Sequence, residues 1–133
     1  MTQIQKQLLI KKAAAAMRQA YAPYSRFCVG AALLTHEGRV FQGCNVENAS
    51  YGLTLCAERT ALGAAIAAGQ RRFTAIAIVA NGKTAPMPCG ACLQVFAEFC
   101  RPDFVIITAA ARHPAATSVY TLKDLLPRAF RLG

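Results

Sequence analysis

The chain has 133 residues, of which 55% are hydrophobic, and its 15 Lys and Arg residues outnumber 6 Asp and Glu residues, giving a formal net charge of +9. This length favours one domain, residues 1–133, over two. No run approaches the ~18 apolar residues of a membrane span, and lysines interrupt the apolar residues of the first twenty positions, which is unlike a signal peptide. These features exclude membrane and secreted classes, so we expect a soluble cytoplasmic protein.

The composition also bears on partners. The basic residues are spread along the chain without a long block or interleaved aromatic residues, which favours a solvated basic surface over a nucleic-acid site. Six cysteines in a reducing compartment favour metal binding over a disulfide framework. The high apolar fraction of so small a chain predicts that some apolar surface faces another subunit.

The first half of the chain predicts a helix, a β-hairpin and a loop. Apolar residues recur at near-helical spacing over residues 3–20 and stop before Pro23. Two short apolar runs separated by a polar turn that ends in glycine predict strands at 28–34 and 39–43. Residues 45–55 are predicted to form a loop.

The second half alternates helices and strands. A run of strong helix formers stops at Gly69, and two β-rich apolar runs follow it. The predicted elements are helices at 56–68 and 88–99 and strands at 73–80, 104–108 and 118–122. A hairpin followed by alternating helices and strands predicts an α/β domain with a mixed sheet. The tail at 125–130 carries no assignable pattern.

Two cysteine motifs stand at predicted helix starts, Cys56-Ala57-Glu58-Arg59 and Pro88-Cys89-Gly90-Ala91-Cys92. Helix N-termini favour thiolates, and cysteines three residues apart on one helix face can chelate a metal together. With Cys56 as the third zinc ligand, a fourth position stays open for water, as in catalytic sites. Glu58 need not bind the metal and can carry protons. A His or Cys two residues before Glu, followed later by Pro-Cys-x-x-Cys, is typical of zinc deaminases.

Other interpretations of the cysteines remain open at this point. The CxxC pair could be redox-active, or a structural four-cysteine site could be completed by Cys28, Cys44 or Cys100. These three lie in apolar stretches, where free cysteine is commonly a small core residue. His36 and His113 are predicted to be solvated surface residues.

Four segments resemble the small tetrameric cytidine deaminases, and the resemblance spans nearly the whole chain. They are Tyr21–Phe27, Gly43–Tyr51, Cys56–Ala61 and Pro88–Cys92. The resemblance implies a three-layer α/β/α fold with a mixed five-stranded sheet and helices on both faces. It also implies one zinc per subunit, deamination of cytidine and deoxycytidine to the uracil nucleosides and ammonia in pyrimidine salvage, and a homotetramer with sites at subunit interfaces.

The same resemblance implies roles for individual residues. Cys56, Cys89 and Cys92 match the zinc ligands, Glu58 matches the proton carrier, and Arg59 matches an arginine that bonds the ligand sulfurs. Asn45 and Glu47 match the pair that holds the ribose 3′-hydroxyl, a role their donors and acceptors suit. The remaining implied contacts are Phe27 beside the base, the Ala57 N–H on the 2-oxo group, the Met87 carbonyl on the amino group, and Phe130 from a neighbouring subunit. Leu93 departs from the arginine that many relatives carry.

Four functions are compatible with these observations. The leading one is the deamination of free nucleosides, which the three-cysteine ligand set supports. A related deaminase of a modified cytosine nucleoside such as blasticidin S is the second. A polynucleotide-editing deaminase, weakly supported by the +9 charge, and a zinc-stapled interaction module without turnover are the others. Arg59 also has a simpler interpretation, as an ordinary surface arginine.

Overall fold

One mixed sheet of five strands organises the computed structural model, which describes residues 1–133. The strands are β1 (Val29–Thr35), β2 (Val40–Cys44), β3 (Phe73–Ala80), β4 (Val105–Ala110) and β5 (Ser118–Thr121), in the sheet order β2-β1-β3-β4-β5. Only β3 and β4 are parallel; the other neighbours are antiparallel. The helices are α1 (Gln3–Met17), α2 (Ala57–Ala67), α3 (Gly90–Phe99) and α4 (Leu122–Leu125), with a 3₁₀ turn at Tyr51–Leu53.

The two faces of the sheet carry separate layers of the core. Successive strand residues point to opposite faces, so Leu33 packs with α2 and α3 on one face, whereas Ala32 packs with α1 on the other. Both cores are formed by fully buried small and branched side chains. The sequence expectation of an α/β/α three-layer domain with a mixed five-stranded sheet is therefore confirmed. None of the helices is long and apolar enough to cross a membrane.

A glycine sets how closely α2 approaches the sheet. A Cβ placed on Gly43 in β2 would lie 2.3 Å from the Ala61 nitrogen and 2.5 Å from the Ala57 oxygen. In addition, the Thr60 hydroxyl donates to the carbonyl of Cys44 (2.8 Å) or of Ala57 (2.9 Å). The first turn of α2 is therefore fixed against the end of β2.

The structure departs from the sequence prediction at the end of one helix and by one additional helix, and the other predicted ends agree to within two residues. Helix α1 ends at Met17 rather than at residue 20, because the N–H groups of Arg18, Gln19 and Ala20 bond to carbonyls three residues back, which tightens the last turn. The short α4 was not predicted. Its first turn is stabilised by a capping box between Thr121 and Asp124, but four residues are too few to show a helical period.

Candidate metal centre and substrate pocket

Three cysteine side chains from two helix starts form a cluster that suits one metal ion. The Sγ atoms of Cys56, Cys89 and Cys92 all lie within 4.8 Å of one another. Cys56 is the N-cap of α2, Cys89 is the N-cap of α3, and Cys92 lies in the first turn of α3. The sheet thus brings together two motifs that are more than thirty residues apart in the chain, as the sequence predicted.

The electrostatics of the cluster fit a divalent cation. A hydrogen bond from the Cys92 thiol, followed by the nearby Arg59, lowers the pKa of Cys56 to about 5. The same Cys56–Cys92 hydrogen bond, together with burial, raises the pKa of Cys92. The Cys92 thiol thus donates its proton toward the Cys56 sulfur, and a zinc ion would take the place of that proton between the sulfurs. The donor set therefore fits zinc.

The other cysteines do not complete a closed four-cysteine site. Cys28, Cys44 and Cys100 lie outside the group of sulfurs that could share a metal, and all six cysteines are free thiols. Burial raises the pKa of Cys100 to about 12, as expected for a cysteine in the core. Three protein ligands leave the open position that a catalytic zinc needs.

Glu58 is buried beside this cluster without joining it. Its side chain is only 5% exposed, and no carboxylate belongs to the metal-binding group. Burial, reinforced by the charge of Cys56, raises its pKa. A carboxyl group with a raised pKa exchanges protons more readily near neutral pH than an ordinary glutamate does.

Arg59 faces the ligand sulfurs rather than the solvent. Its Nη2 atom donates to the Cys56 Sγ atom at 3.4 Å, and its Nε atom is buried without a hydrogen-bond partner. This geometry argues against an ordinary surface arginine.

The structure places Asn45 and Glu47 next to the segment that carries Phe27. Asn45 is 8% exposed; its Oδ1 atom accepts from the Val29 N–H at 2.9 Å, and its Nδ2 atom donates to the Phe27 carbonyl at 2.8 Å. Each amide atom of Asn45 keeps further bonding capacity for a ligand, because the nitrogen has a second hydrogen and the oxygen a second lone pair.

The carboxylate of Glu47 organises the preceding loop. It accepts from the N–H groups of Tyr24 (3.0 Å) and Ser25 (3.1 Å) and from the Ser25 hydroxyl. These bonds, the Ser25 hydroxyl first, lower the pKa of Glu47. A cleft of about 410 Å³ opens at this point, lined by Tyr24, Ser25, Glu47, Asn48, Tyr51 and Thr54. Its size suits a small polar ligand.

The remaining predicted site residues differ in exposure. As the first residue of α2, Ala57 has no intrahelical acceptor for its N–H, so that donor is free to bind a ligand. Phe27 (43%) and Met87 (55%) are exposed near the site, and Phe130 is 68% exposed, its carbonyl bonded to Gln94 on α3. Leu93 lies on α3 and is buried in the core. His36 and His113 are exposed, as predicted.

Three supporting residues were missed in the sequence. Ser25 and Thr60 lie within the segments Tyr21–Phe27 and Cys56–Ala61 that carry the resemblance but were given no role of their own, and Asn81 follows a predicted strand and was given none either. All three act through hydrogen bonds to residues distant in the chain. An Asn-Gly pair after a strand marks a turn, but nothing in the sequence identifies its long-range partners.

Comparison with known proteins gives consistent matches. A family model described as "Cytidine and deoxycytidylate deaminase zinc-binding region" matches residues 3–108. The cytidine deaminase of Halalkalibacterium halodurans is 50% identical over 136 residues, covering 94% of this chain and 93% of that protein. The cytidine deaminase of Mycobacterium tuberculosis H37Rv is 49% identical over 113 residues, covering 85% and 80%. The crystal structure of the Burkholderia pseudomallei cytidine deaminase superposes with a TM-score of 0.89 at 51% identity, covering 98% and 100%.

Proposed function

Because the chain belongs to the zinc-dependent cytidine and deoxycytidylate deaminase family and catalyses the hydrolytic deamination of cytidine, we propose that its three clustered cysteines hold the zinc and that Glu58 carries the protons. The observation that carries this assignment is the group of Sγ atoms of Cys56, Cys89 and Cys92, all within 4.8 Å of one another, with Glu58 buried beside it. When bound, zinc supplies the Lewis acidity that makes water a nucleophile near neutral pH.

The chain's own groups supply the proton transfers. Glu58 takes the proton of the attacking water and delivers it to the ring nitrogen of the base, and then assists the departure of ammonia. Its raised pKa brings it closer to neutral pH, which suits both taking and giving a proton. Its burial keeps bulk water from competing for that proton.

Arg59 adjusts the charge of the centre. Three thiolates and one Zn²⁺ sum to a net charge of minus one, which weakens the acidity of a bound water. A guanidinium that donates to the Cys56 sulfur withdraws electron density from the ligand. The unpartnered Nε atom of Arg59 has room for a second bond of this kind once the sulfurs are all ionised.

The substrate contacts are proposed residue by residue. Asn45 and Glu47 hold the ribose, the Ala57 N–H binds the 2-oxo group, and the Met87 carbonyl accepts from the amino group. Phe27 packs beside the base. The support is that Asn45 and Glu47 both bond the segment around Phe27, and that Glu47 lines a cleft of nucleoside size. We propose that both cytidine and deoxycytidine are accepted, because neither Asn45 nor Glu47 is assigned to the ribose 2′-hydroxyl.

We further propose a homotetramer in which Phe130 completes a neighbouring site. Large apolar side chains remain exposed near the cleft, Tyr51 at 75% and Leu53 at 66%. Helix α2 exposes only small residues on its outer face, namely Gly63, Ala64 and Ala67, and the exposed Ala68 follows at its C-cap, so that a second helix could approach closely. The setting that fits reduced thiols and a nucleoside substrate is pyrimidine salvage in the cytoplasm.

A spectrophotometric assay tests the substrate. Purified protein loaded with zinc should convert cytidine and deoxycytidine to the uracil nucleosides, whereas cytosine and CMP should be poor substrates. Cytosine lacks the sugar that Asn45 and Glu47 would hold, and no basic side chain lines the cleft at Tyr24–Thr54 to bind a phosphate. Turnover of blasticidin S but not of cytidine would reassign the substrate, and strong, salt-sensitive polynucleotide binding would favour an editing enzyme.

Metal analysis tests the ligands. The parent should contain about one zinc per chain. Cys89→Ala and Cys92→Ala should each lose most of it, because two thiolates hold the ion far less tightly than three. Cys28→Ala is the matched control, since its sulfur lies outside the cluster, and it should keep its zinc. Full zinc content in both cluster variants would overturn the ligand assignment.

A further inference from the structure

Asn81 forms hydrogen bonds to the residues on both sides of Phe27. The Asn81 Oδ1 atom accepts from the Cys28 N–H at 3.1 Å, and its Nδ2 atom donates to the Arg26 carbonyl at 3.1 Å. The Asn81 backbone N–H donates to the Cys28 carbonyl, also at 3.1 Å. Asn81 therefore bonds the residue before Phe27 and the residue after it.

The bonds from Asn81 take the place of a sheet ladder. Strand β1 begins only at Val29, so the residues that carry Phe27 have no strand partner of their own. Val29 pairs with Ala80, the last residue of β3, and Asn81 comes directly after it. Asn45 holds Phe27 and Val29 from the opposite side. Two side-chain amides thus continue the sheet's hydrogen bonding past the end of its strands.

The held segment contains backbone strain and a close approach. Arg26 has φ +57°, the left-handed conformation, which is unfavourable for a non-glycine residue. Such a conformation persists where the surroundings fix it, and the Nδ2 atom of Asn81 bonds the Arg26 carbonyl. A Cβ on Gly82 would lie 3.1 Å from the Phe27 Cε1 atom, so the residue after Asn81 lies beside the Phe27 ring.

We propose that Asn81 is a positioning residue for nucleoside binding, which acts by holding the Arg26–Cys28 segment so that the Phe27 ring is preorganised beside the base. This inference rests on the proposed function for the role of Phe27. Asn81 itself is assigned no contact with the substrate. Its removal therefore affects how well the nucleoside binds, and leaves the zinc and the proton transfers in place.

A double-mutant cycle separates this role from a general loss of stability. Asn81→Ala should raise the KM for cytidine about tenfold, the order of two lost hydrogen bonds, with kcat and zinc content close to those of the parent. Because Asn81 acts through Phe27, the double variant should be no worse than Phe27→Ala alone. Independent, multiplying effects would overturn the proposal, as would an unchanged KM in Asn81→Ala.

Two further variants test whether the effect on KM is specific to the hydrogen bonds of Asn81. Asn81→Asp keeps an acceptor for the Cys28 N–H and loses the donor to the Arg26 carbonyl, so its KM should lie between those of the parent and the alanine variant. Gln42→Ala is the matched control: it also loses one bond from a side-chain amide to a distant carbonyl, that of Lys12 at 2.9 Å, but the Gln42 side chain makes no hydrogen bond to the Arg26–Cys28 segment. Its KM should equal that of the parent; a rise as large as that of Asn81→Ala would overturn the specific role.

Trypsin gives a readout that needs no catalysis. Arg26 is exposed and is followed by Phe27, so cleavage there reports how firmly the segment is held. Mass spectrometry should show cleavage after Arg26 at least about fivefold faster in Asn81→Ala than in the parent or in Gln42→Ala. Equal rates would overturn the proposal even if the parent deaminates cytidine, whereas a parent without turnover but with the expected cleavage would overturn only the proposed function.

Discussion

Replacing Gly43 with alanine would test whether the sheet positions the catalytic helix. The added Cβ would lie 2.3 Å from the Ala61 nitrogen and 2.5 Å from the Ala57 oxygen, whereas ordinary contacts begin near 3.4 Å. Both neighbours are backbone atoms of α2, which cannot rotate away, so the first turn must retreat by about 1 Å. Because Cys56 and Glu58 lie on that turn, the proposed metal ligand and the proposed proton carrier move with it.

The expected consequences are a loss of stability and a larger loss of turnover. Overpacking of this kind costs about 1–3 kcal/mol of unfolding free energy, and a displacement of about 1 Å in a catalytic group can cost 10²-fold in rate. Urea unfolding, kcat at saturating cytidine and zinc content would be measured for Gly43→Ala and for Gln42→Ala, which adds no atom against α2. A parent-like kcat and unfolding midpoint in Gly43→Ala would refute this account of how the site is positioned.

Three other predictions concern single side chains. Glu47→Ala should lower kcat/KM for cytidine by about tenfold or more and should shrink the preference for cytidine over 3′-deoxycytidine; an unchanged preference would place the 3′-hydroxyl elsewhere. Arg59→Gln should reduce turnover or zinc retention, because the three-thiolate centre would carry too much negative charge. Normal turnover and normal zinc content in this variant would show that Arg59 is an ordinary surface arginine. Burial keeps the Cys100 thiol neutral, with its pKa raised to about 12, whereas in the unfolded chain it ionises near ~8.5. Its stabilising contribution is thus fully present below pH ~8.5 and is lost as the pH rises toward 12, at up to about 1.4 kcal/mol per pH unit. The stability difference between the parent and Cys100→Ala should therefore shrink with rising pH, and parallel curves would contradict this.

The order and type of the long elements could be predicted from local pattern alone. The run FTAIAIVA is observed as β3 over the predicted residues Phe73–Ala80, because a mostly apolar run of eight residues rich in β-branched and aromatic side chains is typical of a strand buried on both faces. The two cysteine motifs were placed correctly at helix starts, since N-terminal position and spacing are local properties. The sequence therefore sufficed for the metal cluster.

What escaped prediction depends on contacts between distant residues. The bonds of Asn81 to the Phe27 segment join residues 53 and 55 positions apart, and those of Ser25 to Glu47 join residues 22 apart. Asn and Ser form local turns so often that a long-range role leaves no trace in the sequence. Gly43 has an ordinary strand φ, and only the assembled fold shows that a methyl group there would strike α2.

The most direct test of the central claim is cytidine turnover by Glu58→Gln at matched zinc content. The amide preserves the size and hydrogen bonding of the buried side chain but cannot carry a proton, so we predict about one zinc per chain and a loss of turnover of at least ~10²-fold relative to the parent. Zinc-loaded parent and variant that deaminate cytidine at similar rates, or a zinc-loaded parent that does not deaminate it at all, would contradict the account.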